Sequence, residues 1–138
     1  MISKNRMANA YNMFQGADLR VLCVCSAGLL RSPTMARLIS RNYDSVNTRA
    51  VGISSEYALI PMDLVHLMWA DIVLCANTDH YDFTLAALKE TEGMWEHPVV
   101  YDLEIPDNYA FGDKELEHII SDRLKDVKEL KECLIRNS

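Results

Sequence analysis

Residues 20–25 read RVLCVC, an apolar run rich in Val and Leu that stops abruptly at SAGLLRS and is followed by PTMARLISRNY. A run this short, with no polar alternation, is the pattern of a parallel strand buried on both faces. The segment after it reads as a helix, with Ser32 at the cap, Pro33 at the first helical position, and Met35, Leu38 and Ile39 on one face. The order strand, loop, helix then recurs along the chain. A weak strand is expected at residues 48–51, a helix at 61–69, a strong strand at 71–76, a helix at 79–89, a strand at 99–101 and a long closing helix at 113–136. Alternating elements of these lengths call for an α/β fold: a single doubly wound domain whose four-stranded parallel sheet carries helices on both faces. Sites in such sheets form beyond the carboxyl ends of the strands, at the switch in strand order. Residues 25–31, 52–57, 77–80 and 102–112 fall at that end.

At 138 residues the chain supports one core, so one site is sought. Residues 19–138 make up the domain. Residues 1–18 form an N-terminal extension that reads either as an amphipathic helix through Met7, Tyr11 and Phe14 or as a packing arm. A formal charge of -6, with no Lys/Arg cluster, argues against nucleic acid as a partner. No stretch approaches the ~20 apolar residues of a membrane span, so no membrane partner is expected. The first fifteen residues lack an apolar signal core. The cytoplasm is therefore the expected compartment. The four cysteines, Cys23, Cys25, Cys75 and Cys133, contain no CxxC pair, and His66, His97 and His118 have no metal-ligand spacing. Neither a metal nor a cofactor is expected.

The chemistry concentrates in residues 25–32, Cys-Ser-Ala-Gly-Leu-Leu-Arg-Ser, set between a strand and a helix. Five residues between Cys25 and Arg31 let the backbone N–H groups of Ser26, Ala27, Gly28, Leu29, Leu30 and Arg31 curl around an anion, reinforced by the helix N-terminus. That field of donors also stabilises a thiolate, so Cys25 is expected to ionise well below the ordinary range of a free thiol. Arg31 brings a planar fork that bonds two phosphoryl oxygens at once. Ser32 is placed to donate its hydroxyl to the Cys25 sulfur, both as it attacks and as it leaves.

On these residues the chain resembles the low-molecular-weight protein tyrosine phosphatases, whose motif is Cys-x5-Arg-Ser at the end of the first strand, often followed by Pro as Pro33 follows here. The resemblance continues through AVGIS at 50–54, ADIVLCANTDH at 70–80 and IPDNYAFGD at 105–113, over about residues 19–136. It is strongest to the small predicted tyrosine phosphatases of bacteria and phages, in which Ile-Pro-Asp-x-Tyr occurs near the C-terminus. The resemblance implies hydrolysis of a phosphorylated protein or a small aryl phosphate through a cysteinyl-phosphate on Cys25. Asp107 then matches the family's general acid, with Asp102 and Asp113 as second choices.

Two positions depart from the family pattern: Gly28 stands where Asn is usual, and Leu30 where a second Cys is common. Gly28 is expected to take a positive φ without a side-chain anchor. Tyr57, Tyr101, Tyr109 and Phe111 are candidates to wall an aryl ring. His80 reads either as support for the loop or as a satisfied core or surface histidine, and Asn77 replaces an acidic residue common at its position. Cys23 and Cys75 read as core, and Cys133 as incidental.

Two other activities share parts of the pattern. The Cys-Ser-Ala-Gly sequence resembles the loop of the IIB phosphocarriers of sugar phosphotransferase systems, although a carrier must not hydrolyse its own phosphocysteine. Thioredoxin-coupled arsenate reductases share the Cys-x5-Arg loop but use two further cysteines close together.

Overall fold

The computed structural model describes residues 19–26, 31–54, 61–106 and 113–131. In chain order the elements are β1 (Leu19–Cys25), α1 (Arg31–Asn42), β2 (Val46–Gly52), α2 (Leu64–Trp69), β3 (Ile72–Cys75), α3 (Thr78–Lys89), β4 (Val99–Asp102), α4 (Lys114–Leu124) and α5 (Lys128–Lys131). The four strands form one sheet in the order β2-β1-β3-β4, and every pairing is parallel. This is the doubly wound arrangement expected from the alternation, with the switch in strand order between β1 and β3. Cys25 pairs with Gly52, Val24 with Cys75, and Cys75 with Asp102, so the carboxyl ends of all four strands lie along one edge.

Successive residues of a strand face opposite sides of the sheet, and β1 supplies both cores. Val21, Cys23 and Cys25 pack with Met35 and Ile39 of α1, with Leu116, Ile120 and Leu124 of α4, and with Val127 and Leu130. Leu22 and Val24 pack on the other side with Val73 and Cys75 of β3, Leu67 and Trp69 of α2, and Leu88 of α3. Each fully buried aliphatic side chain stabilises the domain by about 1.5–3 kcal/mol. Most of that burial sits around the central strands β1 and β3, which carry the site at their ends. At the opposite edge, Asp71 accepts from the Arg20 backbone N–H at 2.9 Å and from its guanidinium at 3.1 Å, locking β1 to the start of β3.

Several boundaries differ from the expectation. Residues 61–63 are not helical: Pro61 bridges to Gly52, and α2 begins only after Asp63, whose carboxylate accepts the His66 N–H as N-cap. Helix α1 begins at Arg31, so Ser32 lies inside its first turn rather than at the cap, and Pro33 follows where a missing N–H costs nothing. The closing helix is two helices. Lys125, Asp126 and Val127 each bond three residues back, which tightens the chain and lets Leu124, Val127 and Leu130 all reach the core at 0–1% exposure. Among the described residues no helix is long and apolar enough to cross a membrane.

Candidate active site

Cys25 is the last residue of β1, 3% exposed, with Ser26 directly after it at the surface. Parallel pairing continues past the strand and fixes both residues: Ile53 N–H donates to the Cys25 carbonyl and Ser54 N–H to the Ser26 carbonyl, each at 3.0 Å. The first turn of α1 then brings Arg31 and Ser32 back over the strand end. Ser32 is fully buried, and its Oγ lies 3.2 Å from Cys25 Sγ and 3.3 Å from the Val51 carbonyl oxygen. One hydroxyl hydrogen thus has two acceptors when Cys25 is a thiolate. When Cys25 is a thiol, its S–H can donate to Ser32 while Ser32 donates to Val51.

Arg31 is 6% exposed, and its Nη1 donates to the Ile105 carbonyl at 3.0 Å. Ile105 is presented by a tightly specified turn. Leu103 N–H donates to the Cys75 carbonyl at 2.9 Å and Ile105 N–H to the Ala76 carbonyl at 2.6 Å, while Asp102 Oδ1 accepts the Glu104 N–H at 3.0 Å. Glu104 takes φ 52°, a left-handed conformation that costs a non-glycine residue about 1–2 kcal/mol. The segment after the last strand therefore holds the guanidinium in place.

A third contact reaches the loop from the start of α3. His80 is 1% exposed, its Nε2 lies 2.9 Å from Ser26 Oγ, and its Nδ1 accepts the Asn77 N–H at 3.1 Å. Asn77 Oδ1 in turn accepts from the Asp79 and His80 N–H groups, so Asn77 and His80 form a reciprocal cap. His80 is thus both buried and bonded to the loop, which joins the two readings of it.

The remaining candidates separate. Asp102 Oδ2 accepts from Thr78 Oγ1 at 2.7 Å while its other oxygen holds the Glu104 turn. Asp113 is the N-cap of α4, accepting the Glu115 N–H at 2.8 Å. Tyr101 is not a wall of the site: its ring packs against the core, and its hydroxyl donates to Glu129 Oε1 of α5 at 2.6 Å. Burial and the Glu129 carboxylate push that phenol up to about 12. Cys23 is fully buried and held protonated by that burial, with the neighbouring Cys25 and Cys75 adding to the effect. Cys75 faces the opposite core, and burial pushes its thiol up to about 12 against a contact with Thr84. Ala27, Gly28, Leu29, Leu30, Tyr57, Asp107, Tyr109, Phe111 and Cys133 lie outside the described residues, as do residues 1–18.

Two features were not anticipated from the sequence. The anchor for Arg31 is a main-chain carbonyl, which leaves no side-chain signature at Ile105. The caps were readable: Asp63-Leu-Val-His66 and Asn77-Thr-Asp-His80 share a spacing in which His takes the place of the usual Glu or Gln.

No family model matches the sequence, and no curated protein does. Solved structures do share the fold. YwlE arginine phosphatase from Geobacillus stearothermophilus superposes with a TM-score of 0.60 at 20% identity, over 83% of this chain and 95% of that one. A YwlE arginine phosphatase in which the active-site cysteine is replaced by a phosphorylated serine superposes with a TM-score of 0.54 at 17% identity, over 81% of this chain and 99% of that one. The thioredoxin-dependent arsenate reductase of Corynebacterium glutamicum superposes with a TM-score of 0.52 at 17% identity, over 95% of this chain and 69% of that one. The chain therefore has the fold shared by these phosphatases and this reductase.

Proposed function

We propose that the chain is a cysteine-based phosphatase of the low-molecular-weight type. The observation that carries this reading is the convergence, at the end of β1, of a thiol, a hydroxyl 3.2 Å from its sulfur, and a buried guanidinium held by the Ile105 carbonyl. Cys25 attacks phosphorus and expels the alcohol or phenol, Arg31 holds two equatorial oxygens, and water then cleaves the S–P bond with Cys25 leaving as thiolate. Ser32 steadies the sulfur in both steps. Asp107 protonates the departing oxygen and then takes the proton of the attacking water. Supporting that choice, Asp102 and Asp113 already serve as turn and cap. No step calls on a metal ion or cofactor. The substrate is an aryl phosphate or a phosphotyrosyl protein, and the compartment is the cytoplasm, where a nucleophilic thiol stays reduced.

A second substrate reading, phosphoarginine, is favoured by the structural likeness to YwlE arginine phosphatase. The reductase reading is disfavoured because Cys23 and Cys75 are buried and held as thiols on opposite faces of the sheet. Turnover of p-nitrophenyl phosphate, a phosphotyrosyl peptide and free phosphoarginine tests the set. Metal-independent turnover that Cys25→Ser abolishes is expected. A stable phosphocysteine with no release of phosphate would make the chain a carrier instead.

A further inference from the structure

His80 is buried to 1% exposure, yet its ring makes two polar contacts whose directions can be worked out. The Asn77 backbone N–H can only donate, and it points at Nδ1 from 3.1 Å. Nδ1 therefore holds a lone pair, and in the neutral ring the hydrogen sits on Nε2. Nε2 lies 2.9 Å from Ser26 Oγ, so Ser26 is the acceptor in that bond. The Ser26 hydroxyl keeps its own hydrogen for another partner, and its rotor is fixed on the side toward His80.

Burial and the Asn77 N–H hold the ring. The His80 main chain is anchored as well: its carbonyl accepts from Thr84 Oγ1 at 2.8 Å, and Thr84 is itself fully buried against Cys75 Sγ at 3.6 Å. On the other side, the Ser26 carbonyl is held by Ser54 N–H at 3.0 Å. Ser26 is thus gripped at main chain and side chain while remaining exposed, in the position directly after the Cys25 sulfur. The geometry points to His80 as a positioning residue that holds the Ser26 hydroxyl as a hydrogen donor to the bound phosphoryl group, an inference that rests on the phosphatase reading above. A hydroxyl already oriented before the ligand arrives loses less freedom on binding, so the benefit appears in affinity for the phosphoryl group.

Two substitutions separate the ring's two contacts. In His80→Asn the shorter amide keeps an acceptor near Nδ1 for the Asn77 N–H but stops short of Ser26. In His80→Gln the amide carries a donor that reaches Ser26 and an acceptor for the cap. Inorganic phosphate binding by titration calorimetry and p-nitrophenyl phosphate kinetics are measured on wild type, both variants, Ser26→Ala and the pair Ser26→Ala with His80→Asn. His80→Asn is expected to weaken phosphate binding and raise KM by about 3- to 10-fold, the worth of one neutral hydrogen bond, with kcat little changed. Ser26→Ala should show the same loss, the pair no further loss, and His80→Gln should recover most of it. Wild-type phosphate affinity in Ser26→Ala, losses that multiply in the pair, or a Gln variant as weak as the Asn variant would each overturn the inference. Should His80→Asn fail to fold, the Ser26→Ala and His80→Gln arms still decide it. A wild type that binds phosphate without turnover refutes the phosphatase reading alone, because the binding arms remain. A wild type that does neither overturns both.

Discussion

Ser32→Ala removes a single oxygen whose worth can be worked from its neighbours. Ser32 Oγ lies 3.2 Å from Cys25 Sγ and 3.3 Å from the Val51 carbonyl, and it has one hydrogen to give. A hydrogen bond to a charged group contributes about 1.5–3 kcal/mol. Turning that hydrogen toward the thiolate abandons Val51, however, which returns about 0.5–1.5 kcal/mol. The net preference for the thiolate is then about 1–1.5 kcal/mol, or close to one pH unit. In Ser32→Ala the midpoint of Cys25 alkylation by iodoacetamide, followed by peptide mass spectrometry across pH, should therefore rise by about one unit. Breakdown of the cysteinyl-phosphate, where the same sulfur departs, should slow by about 5- to 10-fold. An unchanged midpoint in a folded variant would show that Ser32 bonds Val51 in both ionisation states and does not serve the sulfur.

Three further outcomes are expected. Arg31→Lys should lose most activity while keeping its charge, because one ammonium cannot hold two phosphoryl oxygens and also the Ile105 carbonyl; near-normal kcat/KM would remove Arg31 as the clamp. Asp107→Asn should lower kcat by about 10²- to 10⁴-fold and erase the basic limb of its pH profile, whereas Asp113→Asn, which keeps a good cap, should leave that limb in place. Loss of the limb in Asp113→Asn or Asp102→Asn instead would move the acid. His66 is held below its ordinary range mainly by burial, against the pull of Asp63 and with Arg49 adding to the lowering. The unfolded chain then binds that proton more readily, so this contribution is complete above about pH 6.5 and is lost as pH falls below it. The unfolding midpoint should drop less between pH 7.5 and 5.5 in His66→Gln, which can still cap α2, than in wild type. An equal drop would assign the effect to other groups.

The central strands were legible because β1 and β3 are buried on both faces and so read as unbroken apolar runs. The edge strand β2 was underestimated by three residues. Only β1 pairs with it along its length, and its burial is partial, with Arg49 lying 5.3 Å from the Trp69 ring centroid rather than in water. The break between α4 and α5 was invisible for a different reason. Leu124, Val127 and Leu130 fit a continuous helical stripe nearly as well as a kinked one, and tertiary packing chose between them. In the candidate site, Cys25, Arg31 and Ser32 stood out in the sequence because the proposed chemistry requires those side chains at that spacing. The Ile105 carbonyl was not readable, since any residue supplies one. Tyr101 was misassigned because an aromatic near a strand end serves core and pocket alike, and only its hydroxyl bond to Glu129 tells them apart.

The bond from Arg31 to Ile105 spans 74 residues of sequence, from the first helix to the segment after the last strand. During synthesis Cys25 and Arg31 leave the ribosome long before that carbonyl exists. A growing chain therefore carries Cys25 but lacks the fixed guanidinium until β4 has docked beside β3 and the turn through Glu104 has closed. On the proposed phosphatase reading, chains that end before Ile105 are expected to lack turnover.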